Sequence, residues 1–139
     1  MNQQEIEEQL IKHEGFENKL YYCSMGKATI GVGRNIENYG LSEEEIYFLL
    51  RNDINKCTQD LCSIFRNFNG FDDILQHALI DMRFNLGHAG FRKFKKMIKA
   101  IKNKDLEEAA EEAIDSRWYY QVKDRAINIV SMIRGGHIL

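Results

Sequence analysis

The sequence predicts an α+β fold, mostly helical, with a small N-terminal β-sheet and a long helix connecting two lobes with a cleft between them. Three observations predict it. From Ile46 onward, apolar residues recur at threes and fours, the spacing of one helix face, in five successive stripes. Between residues 18 and 33 the pattern changes to aromatic and β-branched side chains grouped around glycines, which suits short strands and tight turns. The chain has 139 residues and no proline, enough for one domain with a single core and no Pro-rich linker dividing it.

Ile6, Leu10 and Ile11, set among Glu5, Glu7, Glu8 and Lys12, predict a short amphipathic helix with acidic residues near its N-terminus and Gly15 as its stop. Leu20-Tyr21-Tyr22, Met25-Gly26-Lys27 and Ala28-Thr29-Ile30-Gly31-Val32-Gly33 predict a small hairpin or sheet. Gly31 and Gly33 do not form a dinucleotide fingerprint, since no third glycine stands at Ile36 and no helix is expected to start there. Ser42 and Glu45 have capping-box spacing, and Ile46, Leu50, Ile54, Cys57, Leu61, Ile64, Phe65 and Phe68 continue from them as one long helix.

After Gly70, a stripe of Ile74, Leu75, Ala78, Leu79 and Met82 ends near Gly87. The next, Phe91, Phe94, Ile98 and Ile101, carries Arg92, Lys93, Lys95, Lys96, Lys99, Lys102 and Lys104. Leu106, Ala110, Ala113 and Ile114 follow, with Asp105, Glu107, Glu108, Glu111, Glu112 and Asp115; the basic cluster suits anionic peptidoglycan or outer-leaflet lipid, but the stronger reading is a solvated face that the acidic helix neutralises. Val122, Ala126, Ile129, Val130 and Ile133 form the last stripe, before Gly135 and Gly136. The whole chain, residues 1–139, reads as one domain, with the N-terminal helix and sheet at about residues 1–41 and the helical lobe at about 42–139.

Composition narrows the function classes. With 19 basic and 21 acidic side chains, no whole-molecule field draws the chain to nucleic acid or an acidic membrane. No apolar run approaches the ~20 residues of a membrane span, and the polar, acidic opening residues are unlike a signal peptide. Cys23, Cys57 and Cys62 are expected to be reduced thiols, because Cys57 and Cys62 would lie about 140° apart around a helix. His13, His77, His88 and His137 lack metal-ligand spacing, and neither metal nor cofactor is expected.

Glu14 breaks a local rule. A carboxylate in the last turn of a helix faces the negative end of the macrodipole, a cost of ~0.3 to 1 kcal/mol, and such violations are enriched at functional sites. From Glu14 the chain runs through Cys23 and Thr29 to Ile30-Gly31-Val32-Gly33. This spacing resembles the active-site segment of phage endolysins of the T-even phage lysozyme family: Glu, eight residues, Asp or Cys, five residues, Thr, then Ile-Gly-x-Gly. Residues 78–87, Ala-Leu-Ile-Asp-Met-Arg-Phe-Asn-Leu-Gly, resemble the family's cleft-lining helix, and Ser116-Arg117-Trp118-Tyr119-Tyr120-Gln121 with Arg125-Ala126 resembles its C-terminal block. The resemblance covers about residues 4–136.

What it implies is a glycoside hydrolase, a lysozyme that cuts the β-1,4 bond between N-acetylmuramic acid and N-acetylglucosamine in peptidoglycan with inversion. Inversion needs a general acid on one side of the bond and a positioned water on the other. The resemblance assigns the acid to Glu14, an orienting ion pair with Glu14 to Arg125, and the water to Thr29, whose hydroxyl both accepts and donates. Cys23 stands where the T-even enzyme has Asp, and is expected to serve as thiolate or as polar water partner. Phe84 is expected as an apolar cleft wall, Asn85 as a hydrogen-bonding sugar contact, and Arg34 and Asn35 as rim contacts. Gly31 and Gly33 are expected to let backbone approach the sugar, and Trp118 to pack in the core.

Two other functions remain open on the residues: a lytic transglycosylase cutting the same bond without water, and a catalytically silent wall-binding module. Thr29 favours hydrolysis, since a transglycosylase holds no water, and an acid at an unfavourable helix end favours activity over silence. The expected partner is the glycan strand, with no nucleic acid, no stable membrane insertion and a monomeric state. The family further implies accumulation in the host bacterial cytoplasm and release to the periplasmic wall through a holin-type membrane partner.

Overall fold

The computed structural model describes all 139 residues. The α+β class expected from the sequence is the one observed: 69% of residues are helical, in eight helices, beside one three-stranded antiparallel sheet. The chain forms two compact units, residues 1–48 and 49–139, so the boundary falls within the long helix.

In the first unit, α1 (Gln3–Glu14) starts where the Asn2 side chain accepts the Glu5 N–H at 3.1 Å. It ends at Gly15, whose φ of 89° turns the chain while its N–H still bonds Ile11 O. Strands β1 (Glu17–Tyr22), β2 (Ala28–Gly31) and β3 (Arg34–Asn35) lie in chain order, with Tyr21 opposite Thr29 and Thr29 opposite Asn35. A bulge shifts the register between Glu17 and Tyr21. The β1–β2 turn closes with Cys23 N–H on Lys27 O at 3.0 Å and Gly26 N–H on Cys23 O at 2.8 Å.

A helix does start at Ile36, contrary to the sequence reading. It is the single turn α2 (Ile36–Tyr39), made possible because the Asn35 side chain accepts the Asn38 N–H at 2.9 Å. The helix α3 (Glu43–Ile64) opens with the expected capping box: Ser42 Oγ accepts the Glu45 N–H at 3.2 Å and Glu45 Oε1 accepts the Ser42 N–H at 2.8 Å. Thr29 is the one fully buried residue of this unit. Leu10 and Ile11, from the apolar stripe of the first helix, and Ile46, from that of the long helix, are exposed. A 48-residue unit without an apolar centre leans on its hydrogen bonds, sheet and caps alike.

In the second unit α3 stops at Ile64 rather than running on to Phe68. The residues Asn67, Asn69 and Gly70 favour the 3-10 turn Phe68–Gly70, which stacks Phe65, Phe68 and Phe71 inward with ring centroids 5.6 to 5.7 Å apart. Then come α4 (Asp73–Arg92), α5 (Lys95–Lys102), α6 (Leu106–Ile114), α7 (Arg117–Val122) and α8 (Asp124–Gly135). Gly87, at φ 80°, breaks α4 where its apolar stripe ends. The stripe from Phe91 to Ile101 is interrupted at Phe94, and the last stripe is split by Lys123 at φ 58°, a left-handed position no glycine announces. α4 packs on α8, and α6 on both α5 and α8, around Leu75, Leu79, Met82, Phe91, Met97 and Ile129.

One charge cluster lies at the edge of this core. Asp60 of α3 is buried and accepts from Arg92 Nη1 at 2.8 Å, from Arg92 Nη2 and from Arg83 Nε, with His88 Nδ1 3.1 Å from Oδ1. The Arg92 guanidinium first, and then Arg83, hold the Asp60 carboxyl at about 2 despite its burial. Arg83 precedes the Gly87 break and Arg92 follows it, so one carboxylate ties α3 to both halves of α4.

Candidate active site

The first unit gathers Glu14, Cys23, Thr29, Gly33, Arg34 and Asn35. Glu14 is the last residue of α1, exposed, and its carboxyl lies against the backbone of Gly33: a Cβ on that glycine would sit 2.6 Å from Glu14 Oε2 and 3.1 Å from Cδ. Gly33 also has φ 64°, where L side chains are strained. The glycine expected to admit the sugar therefore has a nearer task, seating the carboxyl. At Gly31 an added Cβ would meet nothing within 4 Å, leaving that face open.

Gly33→Ala makes a first prediction. The closest clash is with the tip of a flexible side chain, and Glu14 Cβ at 3.2 Å need give only slightly, so folding survives, at a cost of about 1 kcal/mol for the left-handed backbone. The carboxyl must swing away, and a displacement near 1 Å at a reacting group costs about 10²-fold. We expect peptidoglycan clearing to fall by about that factor while the melting temperature moves little; equal activity in both chains contradicts this.

Cys23 and Thr29 come together across the β1–β2 turn. Hydrogen bonding from the Lys27 backbone, then from Met25, lowers the Cys23 thiol below its ordinary pKa against partial burial, and the Thr29 hydroxyl adds to the effect. Thr29 is 3% exposed and its Oγ1 donates to Lys27 O at 2.8 Å. It has one proton to give, so it serves the Lys27 carbonyl or a Cys23 thiolate, not both. Its β-branched side chain is also an ordinary strand residue between Tyr21 and Asn35.

Arg34 and Asn35, expected at the rim, have structural partners. Arg34 grips Glu45 with Nη1 at 2.9 Å and Nη2 at 2.7 Å, and reaches Gly40 O at 3.3 Å, tying β3 to the start of α3. Arg34 first, then the Ser42 backbone, bring the Glu45 carboxyl to about 2. Asn35 spends its side-chain oxygen on capping α2.

In the second unit, Leu50, Ile54, Ile80 and Phe84 form the apolar walls of a hollow of about 450 Å³ with Asp81 and Arg125 among its lining. Phe84 is 45% exposed, a wall rather than core. Arg125, expected as the partner of Glu14, is paired with Asp81: Nε donates to Oδ1 at 2.8 Å, and Nη2 stands 2.6 Å from the same oxygen. The reason is local, since Asp81 on α4 faces α8, and nothing in the sequence spacing signals a pair 44 residues apart. Trp118 is buried in the core, edge-on to Phe94, and its Nε1 donates to Asn85 Oδ1 at 2.8 Å. Asn85 is thereby oriented with its amide NH₂ free to donate outward.

Sequence reasoning missed Asp81, Gly33 as the seat of Glu14, and Trp118 as the holder of Asn85. The Ile-Gly-Val-Gly run pointed at Gly33 without saying what it approached.

Probable T4-type lysozyme 1 of Dictyostelium discoideum is 27% identical over 163 aligned residues, covering 94% of both chains. Probable T4-type lysozyme 2 of the same organism is 35% identical over 69 residues, half of this chain and 41% of that one. Pre-baseplate central spike protein Gp5 of Enterobacteria phage T4 is 26% identical over 159 residues, 94% of this chain but only 28% of that protein's length. The family model for Phage lysozyme matches residues 11–132, from before Glu14 to beyond Arg125. The chain belongs to the phage lysozyme family.

Proposed function

We propose that the chain is a muramidase that hydrolyses the β-1,4 bond between N-acetylmuramic acid and N-acetylglucosamine in peptidoglycan, with inversion, and so lyses bacterial cells. The observation that carries this reading is Glu14, an exposed carboxyl at a helix end, resting on a glycine backbone in the unit that also pairs Cys23 with Thr29. Glu14 passes its proton to the bridging oxygen as the bond from the anomeric carbon breaks, and water forms the new bond from the opposite face. Thr29 orients that water, and Cys23 draws its proton as a thiolate or fixes it as a polar partner. In the second unit Phe84 walls a hollow that also holds Asp81 and Arg125, and Asn85 bonds the sugar. Arg34 and Asn35 act by holding the loop behind Gly33.

Produced within the bacterial cytoplasm, such an enzyme reaches the periplasmic wall through a holin-type lesion made by another protein. It works as a monomer and without a cofactor. The test is direct: purified peptidoglycan incubated with the native chain should lose turbidity and gain reducing ends, and binding without either would leave a silent wall-binding module.

Cys23 has its own test. Alkylation of a chain carrying Cys57→Ala and Cys62→Ala should cut clearing by about 10²-fold, the scale of one lost acid–base partner. Full modification of Cys23 with undiminished clearing removes it from the mechanism.

A further inference from the structure

We propose that the lysine face of α5 is a docking surface for an anionic phospholipid bilayer. It lies apart from Glu14, Cys23 and Thr29 in the sequence and does not depend on the muramidase reading.

Lys93, Lys95, Lys96, Lys99, Lys102 and Lys104 are all exposed, and none stands in an ion pair. Two carboxylates of the acidic helix that was expected to neutralise them are engaged elsewhere, while Glu112 and Asp115 stay beside Lys93, Lys95 and Lys96 without pairing with them. Glu107 and Glu111 of α6 both bind Arg134 of α8, although α6 packs directly on α5. Lys95, Lys99 and Lys102 stand at i, i+4 and i+7, a single stripe about 10 Å long. Like charges at such spacings oppose a helix unless something anionic covers them.

The stripe is continued at both ends. Lys93, Lys95, Lys96 and Arg117 line a hollow of about 650 Å³ that also holds Glu112 and Asp115. At the other end Lys102 and Arg66 line a second hollow of about 420 Å³. The charge of the whole chain, −2, hides a segregation: residues 49–139 hold fifteen basic and twelve acidic side chains, residues 1–48 four and nine.

The chemistry favours lipid over other polyanions. Lysine ammoniums are compact, non-directional charges on flexible stems, suited to a diffuse plane of headgroup phosphates and not to bidentate recognition. No exposed aromatic is interleaved with them to stack nucleic-acid bases: Phe94, the ring beside them, is edge-on to Trp118. The opposite face of α5, Met97, Ala100 and Ile101, is buried in the core, and no helix is long and apolar enough to cross a membrane. Adsorption is therefore electrostatic, without insertion, and weakened by salt.

The experiment is co-sedimentation of the full chain with vesicles of phosphatidylcholine alone and of phosphatidylcholine with equimolar phosphatidylglycerol. Binding is expected to the mixed vesicles only, and to be lost on raising salt. Replacing Lys95→Glu, Lys99→Glu and Lys102→Glu together should weaken it at least about a hundredfold, at roughly fivefold per basic residue removed from the surface. The alanine triple should weaken it in the same direction, and serves if the glutamates disturb folding. The same charge change made at Lys19, Lys56 and Lys123 should leave it almost intact. Absence of binding to mixed vesicles, equal loss in both glutamate triples, or tighter binding to duplex DNA at the same salt would each overturn the proposal. Peptidoglycan clearing by the α5 triple should equal that of the native chain, so failure of docking and failure of the enzymatic reading are told apart.

Discussion

Glu14→Gln is expected to lower peptidoglycan clearing by about 10²- to 10⁴-fold, the usual contribution of a positioned acid. The amide keeps the shape of the side chain and can still lie on Gly33, but it has no proton to transfer. Because the position is exposed, at a helix end where a charge is not favoured, stability should stay within about 0.5 kcal/mol of the native value. Turbidity kinetics and a thermal melt on the same preparations separate the two effects. Loss of activity with an unchanged melt supports the assignment. Retained clearing would move the proton donor elsewhere.

Asp60→Asn should have the largest effect on folding, a loss of about 3 kcal/mol or ~10 °C in Tm. The change removes the only carboxylate facing Arg83 and Arg92, and Arg83 is left partly buried without a counter-charge. The sign with pH follows from the same geometry. The folded-state pKa of about 2 lies below the ordinary value of 3.8, so the stabilisation is complete above the ordinary carboxylate range and is lost as pH falls toward 2. The difference amounts to about 2 kcal/mol, and denaturant titrations across that window should show it. The Asn variant should show a flatter acid limb; an equally steep one would mean that Asp60 contributes nothing to it. Glu45, brought to about 2 by Arg34, titrates in the same window but at the surface, where solvent screens it.

What could be read from the sequence was local. Ser42 with Glu45, Gly15 as the stop of α1, the glycine-rich hairpin and the end of a stripe at Gly87 all depend on residues within one or two turns of each other. The site segment from Glu14 to Gly33 was legible for the same reason, being one continuous run. What could not be read depends on partners far apart in the chain. Arg125 with Asp81, Trp118 with Asn85 and Arg92 with Asp60 are separated by 44, 33 and 32 residues, and no periodicity encodes them. The break at Lys123 escaped notice because a left-handed backbone usually announces itself with glycine. Ile46 and Leu10 misled because an apolar stripe states what a helix can bury, not what covers it.

The most direct measurement is the end group formed when the native chain cuts purified peptidoglycan. Proton donation by Glu14 with water entering from the far face predicts new reducing N-acetylmuramic acid ends that appear first in the α configuration. A 1,6-anhydro end would mean that no water was held, and a β-configured end would mean a covalent intermediate; either contradicts the account.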